Sequence, residues 1–182
     1  MDSLALQSIV TAGVTEQKIL LGGSFVSLAP IGAPAVIPAN HYVRINANGT
    51  LDRAFSPGTG GASGGVIAAM ALQSDGKIVA VGAFADIGGT RTTNVARFNA
   101  EGAADTSFAS SLDADGPIAA VLHRSDTAPV ATQGNGLAWL NRDGSLRTAF
   151  APSVRLTGTI RTVVTQPDGR VLLGGSFTNP AG

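Results

Sequence analysis

Short apolar runs separated by polar turns recur along the whole chain, and the run Val66–Leu72 sets the pattern. It is apolar at both alternating sets of positions, as expected of a strand covered on both faces of a sheet. Asp75-Gly76 then supplies the positive φ values of a two-residue hairpin turn, so the chain is predicted to return along Lys77–Phe84. After a loop, Val95–Asn99 reads as a third strand, Glu101-Gly102 reverses it, and a short fourth strand ends at Phe108. Two hairpins, and so four antiparallel strands, make up the predicted unit.

The unit repeats. The first hairpin motif, Gln73-Ser74-Asp75-Gly76-Lys77-Ile78 through Gly82-Ala83-Phe84, recurs at Glu16–Phe25 and at Gln166–Phe177, and in altered form at Asp126–Gln133. The altered copy has Asn135 where Phe84 stands. A second motif alternates with the first and runs Asn-x-polar-Gly-x-x-Asp-x-x-Phe at Asn46–Phe55 and Asn99–Phe108. Its third copy, Asn141–Phe150, carries Arg147 in place of the aspartate. Phe55 and Phe108 are 53 residues apart and Phe108 and Phe150 are 42 apart, which gives units of approximately 1–55, 56–108, 109–150 and 151–182. Six of the seven phenylalanines occupy the two repeat positions; Phe98 alone lies elsewhere.

Four short strands repeated every 40 to 55 residues is the pattern of propeller blades. Alanine and glycine in the inner strands suit the narrow end of a blade, and phenylalanines suit the wide space between sheets. A solenoid prefers a shorter period, and a tandem of small sandwiches would space its turns less regularly. The expected fold is therefore all-β: a propeller-type array of about three and a half four-stranded antiparallel blades in one repeat domain spanning 1–182. Four copies of the first hairpin against three of the second leave a half unit at the end, whose unpaired strand edges invite strand addition. Self-association through the terminal hairpins is the expectation.

Composition narrows the functional classes. Hydrophobic residues make up 44% of the chain and charged residues 13%, enough for a core and too apolar for disorder. Twelve basic and twelve acidic side chains cancel, so the excess of positive charge that phosphate binding uses is missing and nucleic acid is not an expected partner. With no cysteine there are neither disulfides nor thiolate ligands. No apolar run approaches the roughly 18 to 20 residues that span a bilayer, and the first residues lack the features of a signal peptide, so no membrane insertion is expected.

The Gln-x-Asp-Gly-Lys-Ile…Gly-x-Phe motif, followed by Arg-Phe-Asn-x-x-Gly-x-x-Asp-x-x-Phe, resembles the delta-60 repeats of bacterial surface and secreted proteins, over essentially the whole chain. That resemblance implies a propeller-like fold and an extracellular or cell-surface setting. It carries no catalytic motif onto these residues.

Candidate sites are correspondingly few. The first unit has a longer loop between its second and third strands: Phe25 to Arg44 spans 19 positions against 13 from Phe84 to Arg97. Insertions of this kind collect on one face of repeat proteins. Asn40, His41 and Tyr42 from this loop are the candidate ligand- or partner-binding residues, together with Trp139, which replaces the arginine seen at Arg44 and Arg97 and could present an aromatic face. Packing explains the same residues without a ligand. The Asn46–Asp52 turn resembles an oxygen-rich calcium loop but has too few carboxylates, so no metal site is assigned. Gly60–Gly65 precedes a strand and lacks a phosphate-loop lysine, so it reads as a linker between blades. His41 and His123 stand apart from any nucleophile motif, and eight of the twelve carboxylates fall at repeat turns. No catalytic residue and no cofactor is expected. The leading expectation is a structural or adhesive module that binds protein, with glycan as a possible ligand; a carbohydrate-binding or hydrolytic propeller with a central pocket is the alternative.

Overall fold

The computed structural model describes residues 2–56, 61–110, 118–124, 128–133, 136–145, 157–166 and 170–178, with the backbone alone at 118–124, 128–133, 136–138, 157, 164 and 165. Strands, turns and loops account for all of them, and no helix among them is long and apolar enough to cross a membrane.

In the first unit β1 (Ser3–Thr11) and β2 (Val14–Gly22) form an antiparallel hairpin turned at Ala12-Gly13, both with positive φ. The loop that follows folds into a small hairpin, β3 (Ser27–Leu28) with β4 (Ile37–Pro38), and β5 (Tyr42–Asn46) returns along β2. In the second unit β6 (Ala62–Ser63) precedes β7 (Val66–Leu72) and β8 (Ile78–Ala83); β9 (Asp86–Ile87) and β10 (Thr90–Arg91) form the loop hairpin, and β11 (Val95–Phe98) returns along β8. The third unit contributes β12 (Ile118–Arg124), β13 (Ala128–Gln133) and β14 (Gly136–Trp139), and the fourth β15 (Thr157–Thr165) with β16 (Val171–Thr178).

Each of the first three units is thus a three-stranded antiparallel sheet of the same order. Where the sequence predicts a fourth strand, the structure has single bridges, Ile45 to Leu51 and Phe98 to Ala104, beyond the turn of the second motif. Only one residue pairs because Asp52 and Asp105 at once turn the chain, accepting from the backbone N–H of Ala54 and Ser107 at 3.1 Å each. Gly60–Gly65 is more than a linker: within it β6 pairs with β9 and extends the loop hairpin to three strands.

Register extends the first copy toward the N-terminus: Leu6 faces Ile19 as Leu72 faces Ile78, so the glutamine of unit one that matches Gln73 is Gln7. Gln73 closes its turn directly, its N–H donating to Lys77 O at 2.7 Å, whereas Gln7 faces Lys18 at the base of a hairpin lengthened by residues 8–17. The glycine of the Gly-x-Phe motif also acquires a reason. β7 and β15 bulge opposite it, and a Cβ on Gly82 would lie 2.1 Å from Val66 O, as one on Gly175 would from Thr159 O.

The sheets stack face to face along the chain. Between the first and second lie Leu20, Tyr42, Ile67, Met70, Ile78 and Phe98. Tyr42 stacks on Phe98 with centroids 4.6 Å apart and meets Phe55 edge-on at 6.1 Å. A second core of Val79, Val81, Val95, Phe108 and Leu140 covers the far face of the second sheet. Burial on both faces, expected of the blade strands, holds for this central sheet. The first sheet has a further small cluster on its other face, around Leu21, Ala39 and Val43.

Candidate functional site

The residues that recur in the sequence converge between the sheets. Arg44, on β5, is fully buried; its Nε donates to Asp52 Oδ2 at 2.7 Å, and its Nη1 donates to Gln7 Oε1 at 2.8 Å and to Ala100 O of the next unit at 2.6 Å. Gln7 Nε2 donates to Gly76 O, also in the next unit, at 3.0 Å. The guanidinium lies 4.6 Å from the centroid of the Phe55 ring. Arg97 repeats the arrangement one unit on: Nε to Asp105 Oδ2 at 2.8 Å, Nη1 to Arg142 O in the third unit, and the Phe108 ring at 4.8 Å. Backbone bonds accompany both, from Ser56 N–H to Glu101 O and from Ala109 N–H to Asp143 O. Arginine, aspartate and phenylalanine at this spacing therefore make a clamp from each sheet onto the turn of the next. The charge of the arginine is neutralised by the aspartate of its own unit, so its remaining donors can reach across without an unpaired buried ion.

In the third unit the same two places hold Trp139 and Arg147. Arg147 lies outside the described residues. Trp139 is buried, so the expected exposed aromatic is not offered to a ligand there; an indole fills the place of the guanidinium. Arginine and aspartate are lost together in this unit, and the change leaves no lone carboxylate at that position.

The other predicted site residues divide between core and framework. Tyr42 is part of the first core, and its hydroxyl is pushed above the ordinary tyrosine range by burial and, second, by the charge of Asp86. His41 holds a left-handed backbone conformation, φ 71°, and exchanges backbone hydrogen bonds with Gly23 and Phe25, while its Nδ1 lies 3.1 Å from Gly23 O. Asn94, φ 63°, makes the same corner with Gly82 and Phe84 in the second unit. Asn40 is half-buried, and its carbonyl accepts from Ala62 N–H at 3.0 Å. His123 lies opposite Pro129 in β12, with its side chain outside the described residues, as are Asn135 and Phe150.

The oxygens of the calcium-like turn are engaged by protein donors. Asn46 Oδ1 accepts from Lys18 Nζ, Asn48 Oδ1 from Thr50, and both oxygens of Asp52 are used. Among the described residues no three His, Asp or Glu side chains converge. A cleft of about 510 Å³ opens beside the second clamp, where Thr90, Thr92, Thr93 and Thr106 line it together with Arg97 and Asp105. The charged pair in its wall is committed to itself and to Lys77, whose Nζ is 2.8 Å from Asp105 Oδ2.

That commitment makes the clamp acid-sensitive. Burial pushes the Asp105 carboxyl up, but hydrogen bonds from Lys77, Ser107 and Arg97 and the charge of Arg97 together outweigh it and hold the group well below the usual carboxylate range. The folded value lies under the unfolded value of about 3.9, so the stabilisation is complete above that pH and is lost as pH falls through the folded value. Asp105→Asn is therefore expected to be less stable than the parent at pH 7, with the gap narrowing below about pH 4. Thermal melts of both proteins across pH 2–7 check this; a gap independent of pH would contradict it.

A family model described as "Domain of unknown function (DUF5122) beta-propeller" matches residues 18–55, 73–108 and 166–182, together half of the chain. In units one and two the matched segments run from within or just before the second strand of the hairpin, β2 or β8, through the third strand and the clamp turn, and the last segment takes in β16. No curated protein and no solved structure matches.

Proposed function

Since the chain belongs to the DUF5122 β-propeller family, we propose that it is a non-enzymatic structural and interaction module of an extracellular or cell-surface bacterial protein. The supporting observation is where the recurring polar residues go. Gln7, Arg44, Asp52, Arg97 and Asp105 are each bonded within or between units, so repetition of these residues serves the stacking of sheets, and the recurring carboxylates that are exposed, Asp75, Glu101 and Asp143, stand at hairpin turns. The finer reading takes each three-stranded sheet with its bridged turn as one four-stranded blade, three and a half of them in all, of the delta-60 type that the motifs resemble. The extracellular setting rests on that resemblance.

We assign the alternative, a carbohydrate-binding or hydrolytic propeller, to the threonine-lined cleft beside Arg97. A glycan array and a glycoside-hydrolase panel test the proposal: no saturable binding and no turnover is expected. Saturable sugar binding lost in Thr92→Val, or any turnover, would overturn it in favour of the carbohydrate reading.

A further inference from the structure

The first sheet buries one face against the second sheet; on its other face Leu21 and Val43 are covered by Ala39, while the side formed by β1 is open. Leu4 is 54% exposed and Leu6 62%, in strand register with Leu21 and Ile19 on that same face. Val10 prolongs the apolar stripe along the lengthened hairpin. In the second unit the places of Leu4, Leu6 and Ile19 are held by Met70, Leu72 and Ile78, which pack on the first sheet. Val43 and Ile45 likewise stand where Ala96 and Phe98 stand. The open face is therefore the same surface that, one unit on, receives a neighbouring sheet.

What it receives there is specific. Leu20 enters the shared core, Gly22 makes a hollow for Met70 (a Cβ on Gly22 would lie 2.9 Å from Met70 Cε), and Ser3 Oγ accepts from Met70 N–H at 2.9 Å. The last hairpin carries the same residue kinds at the same register. Leu172 and Gly174 precede Phe177 as Leu20 and Gly22 precede Phe25, and Thr162 stands opposite Gly174 as Ser3 stands opposite Gly22. Gln166 and Arg170 pair across the turn as Gln7 and Lys18 pair in unit one. This face is open too: Leu172 is 53% exposed, and Thr162, Gln166 and Arg170 are exposed.

We propose that the open face of the first sheet docks the open face of the last hairpin of a second copy of this chain, head to tail, reproducing the internal contact between units one and two. The proposal rests on the interaction-module reading and names its partner. Because the two faces differ, the contact is heterologous, so copies either close a ring or extend in series, and no chain can satisfy both faces by pairing with itself about a two-fold axis through one patch.

Sedimentation velocity across about 1 µM to 1 mM, the span of ordinary interface affinities, reads the outcome for the full chain and three variants. Leu4→Glu and Leu6→Glu each disable the first face, and Leu172→Glu disables the last; all three side chains are exposed, and circular dichroism melts verify that the fold is kept. The parent is expected to associate and each variant to remain a monomer. A mixture of Leu6→Glu with Leu172→Glu is expected to form a two-chain complex, because one intact junction survives between them. A monomeric parent throughout the range would overturn the proposal. So would a Leu172→Glu protein that still self-associates, which would mean that the first face closes on itself, or association untouched by every variant, which would mean pairing through strand edges. None of these results bears on sugar binding or turnover, so the module reading stands or falls separately.

Discussion

Phe98→Ala lowers the free energy of unfolding by about 3–5 kcal/mol, the range for removing a large aromatic side chain from a packed core. Phe98 has no exposure and stacks on Tyr42 of the preceding unit, so its loss opens a cavity at the junction of two sheets and also removes a ring pair worth about 0.5–1.5 kcal/mol of that total. The first unit supplies its own control. Ile45 holds the place of Phe98 on the open face and is only half-buried, so Ile45→Ala is expected to cost about 1 kcal/mol. Urea unfolding monitored by circular dichroism compares the two; equal losses would mean that the two faces are covered alike.

Arg44→Ala is expected to cost a further large amount, about 3–5 kcal/mol, for a different reason. The substitution deletes little apolar area but leaves Asp52, itself buried, without the guanidinium that neutralises it, and strips donors from Gln7 Oε1 and Ala100 O. If the unpaired carboxylate is the main penalty, Arg44→Ala combined with Asp52→Asn recovers part of the loss. Recovery stays partial because Ala100 O and Gln7 Oε1 remain without their donor. A double variant no better than the single one would show that the cross-unit bonds, not the charge, dominate. Unit three presents the natural counterpart, with tryptophan and arginine where the pair would be.

The repeat was legible because its punctuation is local. Asp75-Gly76, the apolar run Val66–Leu72 and the alternating motifs each follow from turn and strand chemistry within a dozen residues. What depends on contacts between units was not legible. Tyr42 stood next to an insertion and read as a loop aromatic, yet its ring belongs to the first core, because the chain has already entered β5 there. Phe98 stood outside the repeat phenylalanines and proved central to the same core. Gln7 was hidden because ten residues separate it from Lys18, against three between Gln73 and Lys77, which moved the apparent start of the first motif to Glu16. Arg44 and Asp52, eight residues apart, recur as Arg97 and Asp105 and are replaced together at Trp139 and Arg147; that joint replacement was the signal in the sequence for a buried pair. The fourth strand is reduced to a single bridged residue in units one and two, since Asp52 and Asp105 turn the chain there, and sequence patterning alone did not show how short it is.

The central claim is that the recurring Arg, Asp and Phe are one structural clamp used twice. The most direct test is to measure the unfolding free energies of Arg44→Ala and Arg97→Ala side by side under the same conditions. Equivalent roles predict losses of similar size, each about 3–5 kcal/mol and each partly recovered by the matching substitution, Asp52→Asn or Asp105→Asn. A large loss at one arginine with none at the other would contradict the account.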